Sequence, residues 1–266
     1  MLPQFDKTFV LTLPRRKDRL DGFYALVDER IAAGDWPFER PETRYGADGR
    51  CVPLPHWVGD GVSAGGWGCS MAYARIIEDA LSHGWESVMM FEDDACFREP
   101  GFAAAVEAAF AAVPDDWDVF YIGGNLREPR AHSPYVINDL IMRPYRMTAT
   151  HGFAMRPRFM RAAYERIYRI PVRICDWRFA DVHAEGWPFP AINCYSTIER
   201  LVGQRPNASD ISCNQLNNPD HPKGYYFWPN PTTIRYLPDF RHPPPPECPW
   251  LTVNAPDTTT EVTACV

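Results

Sequence analysis

The chain has 266 residues, 45% of them hydrophobic, and a formal net charge of −7 at pH 7. This length and apolar content are enough for one large hydrophobic core. The acidic balance gives no indication of nucleic acid as a main partner. The eight cysteines contain no C-x-x-C pair, which argues against a zinc ribbon or a thioredoxin-like motif.

The hydropathy of the chain predicts its compartment, and its composition predicts its domains. The first residues lack the apolar segment of a signal peptide, and no apolar run is long enough to predict a transmembrane helix. We therefore expect a cytoplasmic protein. Residues 240–266 contain four consecutive prolines and a Thr-rich end. The sequence predicts a main domain over residues 1–239 and a loosely ordered tail over residues 240–266.

The first predicted elements are a strand and a helix. Residues 7–13 are rich in β-branched and aromatic residues and precede Pro14, which predicts the first strand. Residues 17–33 have helical spacing and stop at Gly34. Residues 35–62 are rich in Pro and Gly, and they predict an irregular segment with short strands at most.

A second helix is predicted from Gly66 to His83, and a short strand follows at residues 87–91. Apolar residues recur along this helix at helical spacing and form one stripe: Trp67, Met71, Ala74, Ile77 and Leu81. The stripe predicts that one side of the helix packs against a core.

The pattern of strand and helix continues in the second half of the chain. Residues 102–113 predict a helix and residues 118–122 a strand, which Gly123-Gly124-Asn125 closes, either as a site of close ligand approach or as a tight turn. A helix between two strands predicts a βαβ unit and a parallel strand pair. A further strand (147–155) and helix (157–168) follow. We therefore expect an α/β fold with a mostly parallel central sheet flanked by helices.

Three consecutive carboxylates, Glu92, Asp93 and Asp94, directly follow the apolar strand at 87–91. Burying ionised carboxylates is costly unless a positive charge neutralises them. Open α/β sheets bind ligands at the carboxyl ends of their strands, and oxygen ligands favour Mg²⁺ or Mn²⁺. The triplet predicts a metal site for a phosphorylated donor, with Asp94 as a ligand, Asp93 on metal or donor, and Glu92 beside them. The alternative is a solvated loop with chance acids.

A basic turn, Arg15-Arg16-Lys17, follows the first strand. Arginine is suited to bidentate contacts with phosphate, and cations at a helix start oppose the helix dipole, which indicates a use for them. The turn predicts a phosphate contact at the ligand edge of the sheet. The alternative is a solvated helix start with surface arginines.

Taken in order, three short motifs resemble those of glycosyltransferase family 25, which includes lipooligosaccharide β-galactosyltransferases and collagen galactosyltransferases. The matching residues are Leu11-Thr12-Leu13 with Arg16 and Asp18-Arg19, then Gly68-Cys69-Ser70, then Phe91-Glu92-Asp93-Asp94. A weaker match follows at Gln204, Ser209, Asp210 and Ile211. The resemblance implies a GT-A-like fold, a nucleotide-sugar donor, Mn²⁺ or Mg²⁺ as cofactor, and inversion at the anomeric carbon.

The resemblance also implies three groups of site residues. The expected donor site comprises Leu11, Thr12, Arg16, Arg19, Asp93, Gly124 and Asn125. The expected metal site comprises Asp94, Glu92 and His151, with His183 as the alternative histidine. The expected acceptor contacts are Gln204 and Asp210. The alternative for each histidine is an ordinary polar or partly buried side chain.

An inverting transfer needs one base that deprotonates the acceptor hydroxyl. Asp176 matches the position of the family's P-x-D motif and is the first candidate for this base. Asp181 is the second candidate. The structural alternatives are a helix N-cap for Asp176 and a helix-surface acid for Asp181.

The expected activity is the transfer of a hexose, galactose or glucose, from a UDP-sugar to a hydroxyl of a glycan or lipooligosaccharide. Peripheral membrane association through the acceptor is compatible with it, and the oligomeric state is open. Thr12 replaces the family's usual Asn, and Ala72-Tyr73 replace its usual Ser-His pair. One alternative is therefore a catalytically degenerate domain that binds glycans or a protein partner. Another is a nucleotidyl- or phosphoryl-transferring α/β enzyme, against which the lack of a Walker sequence argues.

Overall fold

The computed structural model describes residues 5–48, 64–126, 135–144, 147–169 and 192–205. The strands in these ranges are β1 (Lys7–Thr12), β2 (Glu42–Tyr45), β3 (Val88–Glu92), β4 (Ala95–Phe97), β5 (Val119–Leu126), β6 (Tyr135–Val136), β7 (Ile141–Arg143), β8 (Met147–Met155), β9 (Cys194–Thr197) and β10 (Val202–Gln204). The helices are α1 (Lys17–Ala32), α2 (Ala64–His83), α3 (Phe102–Ala112) and α4 (Pro157–Arg169).

The strands form one central sheet of mixed direction. Its main path runs β2-β1-β3-β8-β5-β9-β7-β6, and β10 pairs off this path with β4 and β5. Strand β1 is parallel to β2 and β3, whereas β8 is antiparallel to both β3 and β5. The expected α/β architecture is confirmed. The expected direct pairing of residues 87–91 with residues 118–122 is wrong, because the long strand β8 lies between these two strands and bonds to both.

Helices cover both faces of the sheet. On one face, α2 and α4 pack against a buried cluster that contains Val88 and Met90 of β3. On the other face, α1 and α3 pack against a cluster that contains Met89 and Phe91. Successive side chains of a strand point to opposite faces. The continuous apolar run of β3 is therefore explained by burial on both sides of the sheet.

Helix α2 is buried over a wider surface than the predicted stripe. Trp67, Ala74 and Ile77 of that stripe are buried, and Tyr73 and Ile76 beside it are buried as well. The helix contacts α4 in addition to the sheet, which accounts for the wider apolar face. This packing turns the side chain of Tyr73 inward.

Strand β5 continues through the glycine pair that follows Ile122. A tight turn at Gly123-Gly124-Asn125 is therefore the wrong alternative. A Cβ atom at Gly123 would lie 2.6 Å from the carbonyl oxygen of Val202 and 2.9 Å from Cδ2 of His151. Because real Cβ atoms essentially never come so close, the glycine is what lets β10 run against β5 and β8 at this point.

No helix in the described ranges is long and apolar enough to cross a lipid bilayer. Residues 240–266, the predicted tail, lie outside the described residues. The proposed division of the chain at residue 239 therefore stays a prediction.

Candidate functional site

The acid triplet lies beside the end of β1 and the start of α1 because β1 and β3 are adjacent parallel strands. Leu11 pairs with Glu92 in the register of the two strands. The backbone N–H of Asp93 donates to the carbonyl oxygen of Leu11 at 3.0 Å. Both strands thus end at the same edge of the sheet, which is where open α/β sheets bind ligands. The structure brings together the two motifs that the sequence singled out.

Both carboxylate oxygens of Asp93 accept hydrogen bonds from protein side chains. Oδ2 accepts from the hydroxyl of Thr12 at 2.6 Å, and Oδ1 accepts from Nη1 of Arg19 at 3.0 Å. Burial raises the pKa of Asp93, while the Thr12 hydroxyl and the Arg19 guanidinium act in the opposite direction. Asp93 therefore joins the end of β1 and the start of α1 to the end of β3.

Asp94 lies beside the same guanidinium. Its Oδ2 is 3.6 Å from Nη2 of Arg19, and its Oδ1 is 3.5 Å from Nε2 of Gln204. The two amino groups of Arg19 thus face two different carboxylates. Asp94 is nearly buried, and from the turn between β3 and β4 its side chain contacts both α1 and β10.

Strand β10 brings two further side chains to the acid cluster. The amide Nε2 of Gln204 lies 3.4 Å from Oε2 of Glu92. Nη2 of Arg205 donates to the carbonyl oxygens of Asp93 and Arg19, at 2.5 and 3.0 Å. The backbone N–H of Arg205 donates to the carbonyl oxygen of Asp94 at 2.7 Å. Gln204, predicted as an acceptor contact, therefore lies against the acids, and Arg205 fixes their main chain.

Glu92 is partly exposed and is held from the side of α2 and β8. Its Oε1 accepts from the hydroxyl of Thr150 at 2.5 Å and from the hydroxyl of Tyr73 at 3.3 Å. The Tyr73 hydroxyl also lies 3.3 Å from the carbonyl oxygen of Thr150. Tyr73, which stands in the place of the histidine of the family's Ser-His pair, is therefore in direct contact with the acid triplet.

His151, predicted as a metal ligand, is buried in the centre of the sheet, with 1% of its surface exposed. Neither ring nitrogen has a hydrogen-bond partner in the part of the chain that the structure describes. Burial is the main cause that lowers the pKa of His151 to about 3, and the charge of Arg200 adds to it. The histidine is therefore neutral at physiological pH.

The remaining predicted donor residues lie at two other places. Arg16 begins α1, and its Nε and Nη2 donate to the carboxylate of Asp18 at 3.1 and 3.2 Å on the exposed surface. Asn125 lies within β5 and pairs with Thr148. A Cβ atom at Gly124 would lie 2.9 Å from the methyl group of Met147, so this glycine serves the packing of β5 against β8.

Four predicted residues lie outside the described ranges. They are the two candidate bases, Asp176 and Asp181, the alternative histidine, His183, and the acceptor residue Asp210. Their roles stay predictions.

The described side chains do not fit the predicted three-ligand metal site. No group of three or more His, Cys, Asp or Glu side chains within the described ranges is arranged to hold a metal ion. Arg19 and Gln204 contact Asp94, and neutral donors contact Glu92. His151 packs instead against Gly123 and the backbone of Val202. A requirement for Mn²⁺ or Mg²⁺ stays a prediction.

Sequence reasoning did not identify Thr150 and Arg205 as members of the cluster, and it noted Tyr73 only as a departure. Thr150 belongs to β8, whose place beside β3 is a long-range pairing without a local signal. Arg205 directly follows Gln204, which the sequence did single out. A search for donors next to predicted site residues would have found both, because Thr150 directly precedes His151.

No protein-family model matches the chain. Over 130 residues the chain is 28% identical to the human protein named inactive glycosyltransferase 25 family member 3. The alignment covers 45% of this chain and 22% of the human protein, so the chain matches less than a quarter of its relative's length. The chain is thus similar to a glycosyltransferase-like protein, and that protein's name describes it as inactive.

Two solved structures have a partial likeness to the chain. One is a glycosyltransferase involved in the glycosylation of the major capsid of PBCV-1, with a TM-score of 0.33 and 9% identity over 61% of this chain and 66% of that one. The other is A197 from STIV, with a TM-score of 0.37 and 12% identity over 71% of this chain and 81% of that one. Likeness at this level is too low to assign a fold family or a site.

Proposed function

We propose that the protein is a glycosyltransferase of the family 25 kind, with a GT-A-like fold, that moves a hexose from a UDP-sugar to a glycan hydroxyl. The observation that carries the proposal is the convergence of Arg19, the acid triplet and Gln204 at one edge of an open α/β sheet. The 28% identity to a glycosyltransferase-like protein supports the same class.

The chemistry of this edge suits a nucleotide diphosphate with a sugar attached. Arg16 directly precedes α1 near the end of β1, and guanidinium groups bind phosphate oxygens well. At the same edge, Glu92 and Gln204 are partly exposed and offer polar atoms to sugar hydroxyls. Positive groups next to the leaving diphosphate would stabilise the charge that develops there during transfer.

The transfer also needs a base and an acceptor. Asp176 is the proposed base, with Asp181 as the second choice, and Gln204 and Asp210 are the proposed acceptor contacts. A glycan or lipooligosaccharide acceptor and work in the cytoplasm, with membrane association only through the acceptor, belong to the same proposal.

A second candidate function is a catalytically degenerate domain that binds a glycan or a protein partner. The observation that favours it is Tyr73, which occupies part of the surroundings of Glu92 with a buried aromatic ring. The name of the human relative points the same way. Such a domain would bind a nucleotide or sugar without turnover.

Calorimetric titration with UDP and with ATP, followed by assays of UDP release from a panel of UDP-sugars, separates these functions. Each measurement is made with EDTA and again with Mn²⁺. Binding of UDP over ATP together with UDP release supports transfer. Binding without release in the presence of acceptor glycans supports the degenerate domain, and the absence of nucleotide binding at millimolar UDP contradicts the proposed transferase.

A further inference from the structure

Two adjacent carboxylates at the end of β3 are almost entirely removed from solvent. Asp93 and Asp94 are 5% and 4% exposed. Ionised carboxylates so close together repel each other, and each loses its hydration on burial. Such a pair needs a positive group within contact distance if both are to be charged.

Arg19 is that positive group. Its Nη1 lies 3.0 Å from Oδ1 of Asp93 and its Nη2 lies 3.6 Å from Oδ2 of Asp94. The arginine side chain is itself only 11% exposed, so solvent screens these contacts far less than those of a surface pair. Because the guanidinium is planar with fixed donor directions, it can face two carboxylates at once.

The side chains of Arg205 and Thr12 help to hold Arg19 and Asp93 in this position. Arg205 donates from Nη2 to the carbonyl oxygens of Arg19 and Asp93, and thereby ties the first turn of α1 to the loop after β3. The Thr12 hydroxyl fixes the other oxygen of Asp93. Arg19, in the first turn of α1, is therefore placed by Asp93 and Asp94 after β3 and by Arg205 after β10, and it is not a mobile surface cation.

We propose that Arg19 is the resident cation of the acid cluster, and that the cluster keeps its geometry and binds the nucleotide without a divalent metal. That the nucleotide binds without a metal rests on the proposed function. That Arg19 compensates the charge of the two carboxylates does not, because it concerns the ligand-free protein. Arg19 acts here as a positioning residue that neutralises Asp93 and Asp94.

The first test measures the melting temperature of the ligand-free protein in EDTA and in millimolar Mn²⁺ or Mg²⁺. Anything that binds only the folded state raises its melting temperature. We expect the values in EDTA and in metal to agree within about 1 °C, which is less than the shift that ~1 kcal/mol of binding would cause. A saturable rise of several degrees with either metal overturns the proposal.

The second test is a double-mutant cycle of Arg19→Met and Asp93→Asn, with Arg40→Met as the control. Arg40 forms an ion pair with Asp28 in which both side chains are about half exposed. We expect Arg19→Met to lower the melting temperature by several degrees and Arg40→Met by about 1 °C or less. Adding Asp93→Asn to Arg19→Met should recover part of the lost melting temperature, because it removes the carboxylate that has lost its positively charged partner.

Strictly additive effects of the two substitutions overturn the proposal. If Arg19→Met does not fold, the neutral variant Arg19→Gln takes its place, and its loss should likewise be reduced by Asp93→Asn. Calorimetry with UDP in EDTA completes the test: binding that needs added metal contradicts the proposal. Absence of UDP binding in both EDTA and Mn²⁺ contradicts the proposed function instead, while the melting temperatures still decide the role of Arg19.

Discussion

Two buried polar regions of the same sheet are built in opposite ways. At the edge where β1 and β3 end, the Asp93 carboxylate accepts hydrogen bonds from Thr12 and Arg19. At the centre, where β10 runs against β5 and β8, the buried ring of His151 has no hydrogen-bond partner among the described residues. The comparison shows that burial alone does not decide what a polar side chain costs, because its partners decide it.

The difference has a consequence for mutation. Where a buried charge has partners, removal of the charge leaves those partners unsatisfied and the protein loses stability. Where a buried polar group has none, its replacement by an apolar side chain relieves a desolvation cost. The two regions should therefore respond to substitution with opposite signs.

The largest expected effect comes from Asp93→Ala. This change removes the 3.0 Å contact of the nearly buried Arg19 guanidinium while the longer contact to Asp94 stays, and we expect a loss of ~3 kcal/mol in the free energy of unfolding. Urea denaturation monitored by circular dichroism measures it. Asp28→Ala, which breaks the exposed pair with Arg40, is the matched control and should cost at most ~1 kcal/mol. Equal losses in both variants would falsify the idea that the acid cluster is a buried, partnered network.

The opposite sign is expected for His151→Leu, which puts an apolar side chain of similar size in place of the imidazole. At neutral pH the free energy of unfolding of the variant should equal or exceed that of the wild type by ~1 kcal/mol, because two buried nitrogens that have no hydrogen-bond partner among the described residues are removed. Chemical denaturation at a series of pH values measures the difference. A loss of 2 kcal/mol or more, about the size expected when a buried partnered group is removed, contradicts the comparison.

The pH dependence of this variant follows from the pKa of His151, which burial lowers from 6.5 to about 3. Below pH 6.5 the unfolded state binds a proton that the folded state does not. The contribution of this group therefore lowers the free energy of unfolding of the wild type by ~1.4 kcal/mol per pH unit as the pH falls from 6.5 towards 3. Above pH 6.5 the group has no such effect. The advantage of His151→Leu should grow over that window, and parallel pH profiles for both proteins would rule out a buried neutral histidine.

A smaller loss is expected for Gly123→Ala in the same central region. The added Cβ would lie 2.6 Å from the carbonyl oxygen of Val202, and backbone cannot move away cheaply, so we expect a cost of ~1–3 kcal/mol. Gly46→Ala is the matched control, because its Cβ would meet its nearest neighbour at an ordinary 3.4 Å, and it should change stability by less than ~0.5 kcal/mol. Chemical denaturation measures the difference, and indistinguishable denaturation midpoints for the two variants would contradict the close approach of β10 to β5.

The elements of the fold were predictable from local sequence, and the pairing of the strands was not. Spacing and stop signals located the four helices described here and the strands at β1, β3, β5 and β8. The insertion of β8 between β3 and β5 depends on contacts between residues about 60 positions apart in the chain, and a local pattern carries no information on them. No strand was predicted at the positions of the short strands β9 and β10.

The candidate site, too, could be predicted from the sequence only in part. Glu92, Asp93 and Asp94 were found because three acids after an apolar strand are conspicuous, and parallel pairing of β1 with β3 brings the end of β1 and the start of α1 beside them. Charge compensation by Arg19 could have been considered from the sequence, since a buried carboxylate needs a cation of some kind. The choice between an arginine and a metal ion depends on distances, and the sequence contains none.

The smallest expected effect concerns Tyr73→Phe, which removes only a hydroxyl from the network around Glu92. That hydroxyl is 3.3 Å from Glu92, and Thr150 still donates to the same oxygen at 2.5 Å, so the free energy of unfolding should fall by only ~0.5–1 kcal/mol. Tyr24→Phe is the matched control, since it removes a hydroxyl that contacts Pro41 and Thr43 away from the acid triplet.

The two tyrosine variants should differ in nucleotide binding, although they lose similar stability. If Glu92 contacts the ligand, its freer carboxylate in Tyr73→Phe should weaken UDP binding about threefold by calorimetry, equivalent to ~0.6 kcal/mol, while Tyr24→Phe should bind as the wild type does. An unchanged dissociation constant for Tyr73→Phe would mean that Glu92 is a structural part of the partnered edge and not part of its binding surface. Ligand contacts at this edge would then fall to Arg16 and Gln204.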